Sequence, residues 1–236
     1  MSRIDIRKVS VVRGGTPVVH RATFGVAAST WFGVIGANGS GKTSLLRAIA
    51  GRLDIAEGEC AIAGTELSTD RFRRAQCIGF MPTIESLPTV LTGRQILRLA
   101  APRGSDGLHS LGPINAALHI GALLDQPVAH FSSGMRQRLA IACAFASGAS
   151  AIILDEPFNW LDPVAAFDTR TALAAMVAAG LTLVTALHDM SVFARCCHAG
   201  IVMSDGAVAL SLSDSDLRHG QQDPAAFEDR LIAALR

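Results

Sequence analysis

The sequence predicts an α/β fold, on three observations. An apolar strand runs through a glycine-rich turn straight into a helix around residues 30–53, strands alternate with helices from about residue 139 onward, and the N-terminal part reads as short strands separated by glycine turns. With 236 residues the chain is long enough to bury a sizeable core. A formal charge of +1 and the lack of a basic run argue against holding nucleic acid by phosphate neutralisation, so no nucleic acid partner is expected, nor a polybasic membrane contact.

Taken in order, residues 4–35 and 58–63 read as short strands separated by Gly14-Gly15 and Glu57-Gly58 turns, which implies an antiparallel sheet. Thr30 to Ile35 is a buried strand, and Lys42 to Leu53 carries Leu45, Leu46, Ile49 and Leu53 at helical spacing. From Thr89 to Gly134 the pattern turns helical: Thr92 caps a helix through Ala101, Pro102 to Gly107 breaks it, and another helix runs from Pro113 to Leu124. Leu139 to Leu154 has no charge yet is shorter than the roughly 18 residues a membrane span needs. Gly148 and Ser150 divide it into a buried helix, a turn and a buried strand. Strands at 151–154, 181–187 and 200–203 with helices between them predict a parallel sheet, and Asp205-Gly206 a hairpin turn. From Ser211 a polar connection leads to a short Ala-rich amphipathic helix.

The five cysteines, at 60, 77, 143, 196 and 197, show no C-x-x-C spacing and suit a reducing compartment. Cys196-Cys197-His198 is expected to be structural, because adjacent cysteines rarely close one tetrahedral site with a neighbouring histidine. Met1 to Lys8 alternates charged with apolar residues and holds no apolar core of signal-peptide length, so the chain is expected in the cytosol.

Gly36-Ala37-Asn38-Gly39-Ser40-Gly41-Lys42-Thr43 fits the phosphate-binding loop pattern G-x-x-x-x-G-K-[ST] at every fixed position. Glycines let backbone N–H groups crowd around the phosphates of a nucleoside triphosphate, where a Cβ would block the approach. Lys42 adds a point charge, the Thr43 hydroxyl can ligate Mg²⁺, and the following helix, with Ser44 in its first turn, presents its positive end. Gly36 to Ser44 is therefore the expected nucleotide-binding set. The apolar strand Ala151 to Leu154 ends in Asp155 and Glu156. In open α/β sheets ligands sit at the carboxyl ends of strands, where Asp155 can hold the Mg²⁺ shell and Glu156 can polarise an attacking water.

Between these lies Phe131-Ser132-Ser133-Gly134-Met135-Arg136-Gln137-Arg138, where Ser132 and the amides of Ser133 and Gly134 open a helix and offer an anion site. This stretch resembles the signature loop of ATP-binding cassette (ABC) ATPases, and the resemblance spans about residues 4–210. It implies a P-loop NTPase core with an antiparallel β subdomain and an inserted helical subdomain (about 84–135), within one ABC ATPase domain over 1–236 whose C-terminal extension starts near 211. The resemblance also implies that Ser132, Ser133, Gly134 and Met135 meet the γ-phosphate of ATP held by a second ABC subunit, identical or not. Asn159-Trp160-Leu161-Asp162 is similar to the D-loop, so Asp162 would cross the dimer interface. His188 resembles the switch histidine that contacts the γ-phosphate and holds Glu156. Two ATP molecules with Mg²⁺ would be sandwiched between the subunits, and the cycle would drive a separate transmembrane permease from the inner face of the cell membrane. The Met-containing signature and brief C-terminus are reminiscent of exporter ATPases.

The family usually places an aromatic residue against adenine where this chain has Arg13, and a Q-loop glutamine where it has Thr83. A guanidinium also stacks on a base face, whereas Thr is too short to reach as far toward Mg²⁺ or water. An apolar segment from Phe80 to Leu97, with Pro82, Ile84, Leu87, Pro88 and Val90, is expected either to dock a permease helix or to fill the core of the helical lobe. The alternatives to transport are a soluble cassette in cofactor assembly, repair or translation, and a nucleotide switch that does not hydrolyse.

Overall fold

The computed structural model describes residues 2–235; Met1 and Arg236, the two ends of the expected single domain, lie outside them. β1 (Ser2–Arg13) and β2 (Thr16–Ala27) pair antiparallel about Gly14 and Gly15, both at positive φ as a tight hairpin turn requires. These strands are 12 residues each, longer than the short strands expected. β3 (Trp31–Gly36) leads through the glycine-rich loop into α1 (Lys42–Ile49), after which β4 (Glu57–Ile62) and β5 (Thr65–Glu66) complete a four-stranded antiparallel sheet in the order β2-β1-β4-β5.

Two local expectations fail here for identifiable reasons. Glu57-Gly58 is not a turn but the start of β4, placed where the β1–β4 register shifts between Arg7 and Ser10. Gly58 sits at φ 92, and a Cβ there would lie 2.3 Å from the Lys8 carbonyl oxygen, so the glycine serves close strand approach. The helix expected to reach Leu53 stops at Ile49, because Gly51 turns left-handed at φ 68. The fully buried Arg74 then takes the carbonyls of Ala48 and Leu53 that a longer helix would have used.

α2 (Arg71–Cys77) carries Arg74 and precedes the edge strand β6 (Gly79–Phe80). The lobe that follows contains α3 (Gly93–Ala100), closed at Thr92 by a capping box with Gln95, and α4 (Pro113–Ala117). The helix expected over 113–124 is broken: His119 at φ 50 is left-handed, and only a 3-10 turn, Ile120–Leu123, continues. α5 (Ser133–Ala146), β7 (Ala151–Asp155), α6 (Pro163–Ala178), β8 (Thr182–Leu187), α7 (Met190–Cys196) and β9 (Ala199–Ser204) alternate as expected. Asp205 and Gly206, at φ 47 and 77, turn the chain into β10 (Ala207–Leu212). Ser211 and Leu212, expected to open a polar connection, end β10; the rest of that connection is α8 (Asp214–Gln222), with its own Ser213/Asp216 capping box, ahead of the Ala-rich α9 (Pro224–Leu235).

The second sheet runs β10-β9-β3-β8-β7-β6, parallel except for β10. Alternate residues of its strands enter different cores. Phe32, Val34, Ile153 and Val184 join Leu45, Leu46 and Ile49 of α1 and the antiparallel sheet, whereas Trp31, Ile35, Ile152 and Leu183 join the helices of the opposite face. α1 is thus gripped between two sheets. Leu87, expected on a docking surface, is 4% exposed and belongs to the second core, so at this position the packing alternative holds.

All five cysteines are free. Burial pushes the Cys60 thiol up to about 11 and Cys143 up to about 12, which leaves both unreactive. Cys197 is buried, and the imidazole Nδ1 of His198 accepts the Trp31 amide at 3.0 Å, a structural use of that pair.

Candidate functional site

β3, β8 and β7 lie side by side in one parallel register, Ile35 opposite Leu187 and Asp155 opposite Ala186. Their carboxyl ends therefore deliver the glycine-rich loop, His188 and the Asp155-Glu156 pair to one edge, and β6 beside β7 adds the segment from Met81 to Glu85. Four chain segments far apart in sequence meet because the sheet is parallel. A cleft of about 320 Å³ opens there, lined by Thr43, Arg47, Thr83, Glu85, Gln137, Asp155, Glu156, Asn159 and Trp160 among others.

Gly36 permits the loop to close: a Cβ would lie 2.5 Å from both the Met203 carbonyl oxygen and Ser40 Oγ. Gly41 at φ 95 is left-handed and enters α1 without a side-chain cap, so the first amides of that helix keep no side-chain partner. Lys42 is buried, its Nζ donating to the carbonyls of Gly36 at 2.8 Å and Ala37 at 3.0 Å. Burial pulls its ammonium below the ordinary lysine value, while the charges of Glu156 and Asp155 hold it up. For Asp155, burial pushes the carboxyl up, with the Thr43 hydroxyl opposing and Glu156 adding to the shift. Buried Lys42 and half-buried Asp155, of opposite sign, are both partly stripped of water at this edge.

Asp155 Oδ1 and Ser40 Oγ are buried with no hydrogen-bond partner, an exception that buried polar groups rarely make. A hard divalent cation seeks oxygen ligands of the kind that Asp155 and the adjacent Thr43 offer, so these residues fit Mg²⁺.

Glu156 stands just past the strand at φ 49, a left-handed conformation uncommon for a residue with a Cβ, and its amide donates to the Ala186 carbonyl at 3.1 Å. Its Oε2 accepts a hydrogen bond from Asn159 Nδ2 at 2.6 Å, and His188 Nδ1 lies 3.9 Å from the same oxygen. The turn from Glu156 to Asp162 is fastened to α5. Buried Gln137 donates to the carbonyls of Glu156 and Pro157 at 3.1 and 3.0 Å, Arg138 pairs with Asp162 at 3.0 Å, and a Cβ on Gly134 would come within 2.8 Å of the Trp160 oxygen.

Ser132 caps α5 by accepting the Met135 amide at 3.2 Å, leaving Ser132 and Ser133 exposed at the helix start. These signature residues do not line the cleft that holds Asp155 and Glu156. Asp162 caps α6 through the Ala165 amide. Arg13 is exposed at the tip of the β1–β2 hairpin, away from the cleft lining. Gln137, Arg138 and Asn159 escaped the motif reading as individual contributors; each partner is reached only through folding, and the signature's basic flank was the single hint.

A family model described as "ABC transporter" matches residues 19–159. The chain belongs to the ABC transporter family. A putative ABC transporter ATP-binding protein of Halobacterium salinarum is 30% identical over 226 residues, covering 93% of this chain and 97% of the relative. The Nod factor export ATP-binding protein I of Sinorhizobium fredii is 29% identical, covering 86% of this chain and 60% of its own length. Mouse ATP-binding cassette sub-family A member 7 is 29% identical over 80% of this chain, which spans only 9% of that much longer protein. Among solved structures, an ATP-binding subunit of an ABC transporter superposes with a TM-score of 0.84 at 26% identity, covering 99% of both chains. The dimeric structure of a bacterial ABC transporter cassette shares the fold, with a TM-score of 0.77 at 22% identity over 89% of this chain and 98% of that one. The P-loop NTPase fold of ABC cassettes is thereby established for this chain, and among its described residues no helix is long and apolar enough to cross a membrane.

Proposed function

We propose that this chain binds and hydrolyses ATP as the cassette subunit of an ABC transporter. The observation that carries the reading is the meeting, at the carboxyl ends of β3, β8 and β7, of the phosphate loop, His188 and Glu156 beside the unpartnered Asp155 Oδ1. The loop amides and Lys42 hold the β- and γ-phosphates. Thr43 and Asp155 would hold a Mg²⁺ ion, which would supply positive charge to offset that of the phosphates. Glu156 takes a proton from the attacking water as its oxygen bonds to the γ-phosphorus, the bond to the β–γ bridging oxygen breaks, and ADP leaves. His188 steadies the γ-phosphate and the base.

Ser132 and Ser133 face solvent and none of Ser132 to Met135 lines the chain's own cleft, which suits an anion site that serves a second cassette, with Asp162 at the shared border. Two subunits then close around two ATP molecules and reopen after hydrolysis. The same chain docks a permease on the inner face of the membrane through the groove of about 330 Å³ between the core and α3, lined by Phe80, Pro82, Pro88, Ile96 and the exposed Leu99. A relative named for Nod factor export supports an export-type partner.

Phosphate release with and without Mg²⁺ tests the reading. Glu156→Gln is expected to bind ATP yet lose about 10²- to 10⁴-fold in turnover, the usual worth of a general base. Turnover at the unaltered rate would remove Glu156 as the base. Lys42→Ala is expected to weaken binding itself.

A further inference from the structure

The shortest hydrogen bond at the site belongs to a residue without an assigned role in the hydrolysis. Asn159 Nδ2 donates to Glu156 Oε2 at 2.6 Å, short for an N–H donor, and hydrogen bonds to an ionised carboxylate are the short, strong ones. The backbone around this amide is fixed from both sides, by Gln137 on the carbonyls of Glu156 and Pro157 and by the Arg138–Asp162 pair three residues on. Asn159 and Glu156 also form a shared wall: both line the cleft of Thr43 and Thr83, and both line a second cleft of about 210 Å³ that contains His188 and Arg170. Glu156 itself is held left-handed at φ 49, a conformation that persists where the surroundings over-determine it.

We propose that Asn159 is a positioning residue for hydrolysis, its amide anchoring Oε2 so that Oε1 is the oxygen that takes the proton from the attacking water. This rests on the reading of Glu156 as the base. With Thr83 too short to stand in for the usual Q-loop glutamine, the Asn159 amide is the fixed side-chain donor that orients the carboxylate from the D-loop side. His188, 3.9 Å away, is left free to move between this oxygen and the nucleotide.

The test compares Asn159→Asp, of the same shape but without a donor, Asn159→Leu, bulkier but branched at the same carbon and without donor or charge, and Asn159→Ser, which keeps a donor. Asp and Leu are expected to lower kcat by about 10- to 100-fold, the reach of one hydrogen bond to a charged group. KM for ATP and the affinity for a fluorescent ATP analogue, measured without turnover, stay within about twofold, and Ser recovers part of the lost rate. Full activity in Asn159→Leu overturns the proposal, because it reduces any defect of Asn159→Asp to charge repulsion. A loss of analogue affinity matching the loss of kcat, or a fall in melting temperature in all three variants, assigns Asn159 to folding and also overturns it. If the unaltered protein releases no phosphate, the base reading fails and this inference with it; if it does and Glu156→Gln does not, an indifferent Asn159 fails alone.

Discussion

Two parts of the proposed nucleotide site, the phosphate end at the glycine-rich loop and the hairpin tip that carries Arg13, are held by different physics. At the phosphate end Gly36, Ser40 and Lys42 are buried where three strands are locked in register, and a single added carbon at Gly36 meets backbone at 2.5 Å. At the hairpin tip Arg13 sits exposed, beside Gly14 and Gly15, around which an added Cβ would find nothing within 4 Å. At the loop a substitution meets fixed backbone; at the exposed tip, if Arg13 lies on the base as its position suggests, the demand on the side chain is only a flat face.

The contrast between anchored and exposed positions can be broken most forcefully in the groove between the core and α3 proposed for docking. Leu87 and Leu99 line the same groove, yet the first is 4% exposed and the second 71%. Leu87→Asp is expected to cost more than the roughly 2–5 kcal/mol of a buried leucine truncated to alanine, seen as a collapse of the thermal transition. Leu99→Asp should melt like the unaltered protein while losing co-purification with its permease. Retained co-purification would remove that groove as the docking site.

A smaller effect separates the glycines. Gly36→Ala is expected to cost about 1–3 kcal/mol and to abolish ATP binding, since neither the Met203 carbonyl nor the loop can retreat. Gly14→Ala, in open space at φ 57, carries only the left-handed penalty of roughly 1–2 kcal/mol and should leave affinity intact. Equal losses of affinity in a nucleotide titration would erase the distinction between the two ends. The smallest effect is at Arg13: a partly exposed cation stack is worth about 0.5–1 kcal/mol, so Arg13→Ala weakens ATP a few-fold and Arg13→Tyr restores it. Unchanged affinity in Arg13→Ala would detach that residue from the base.

The same contrast explains what the sequence made legible. The glycine-rich loop and the Asp155-Glu156 strand end are local: their chemistry is written in consecutive residues, and strand periodicity carries them to the right edge. α1 was over-extended because Leu53 kept the helical period, while the competing ligand for the helix end, Arg74, lies 21 residues further on. α8 was missed because a polar helix presents no apolar run, whereas the Asp205-Gly206 turn already pointed to the strand that follows it. The grip of Gln137 on the carbonyls of Glu156 and Pro157, and of Asn159 on Glu156, depends on how a turn lies against α5, which no pattern of residue types encodes.

The two tryptophans, in a chain without tyrosine, divide the ultraviolet signal of this protein cleanly. Trp31 is fully buried with its indole N–H on Thr185 Oγ1 at 2.8 Å, while Trp160, beside Asn159, is 66% exposed. Its emission is expected to lie to the red and to be quenched by iodide, with that of Trp31 protected. A second cassette closing over the turn would shift the red component to the blue and shield it, so nucleotide-driven pairing can be timed in stopped flow without attaching a dye.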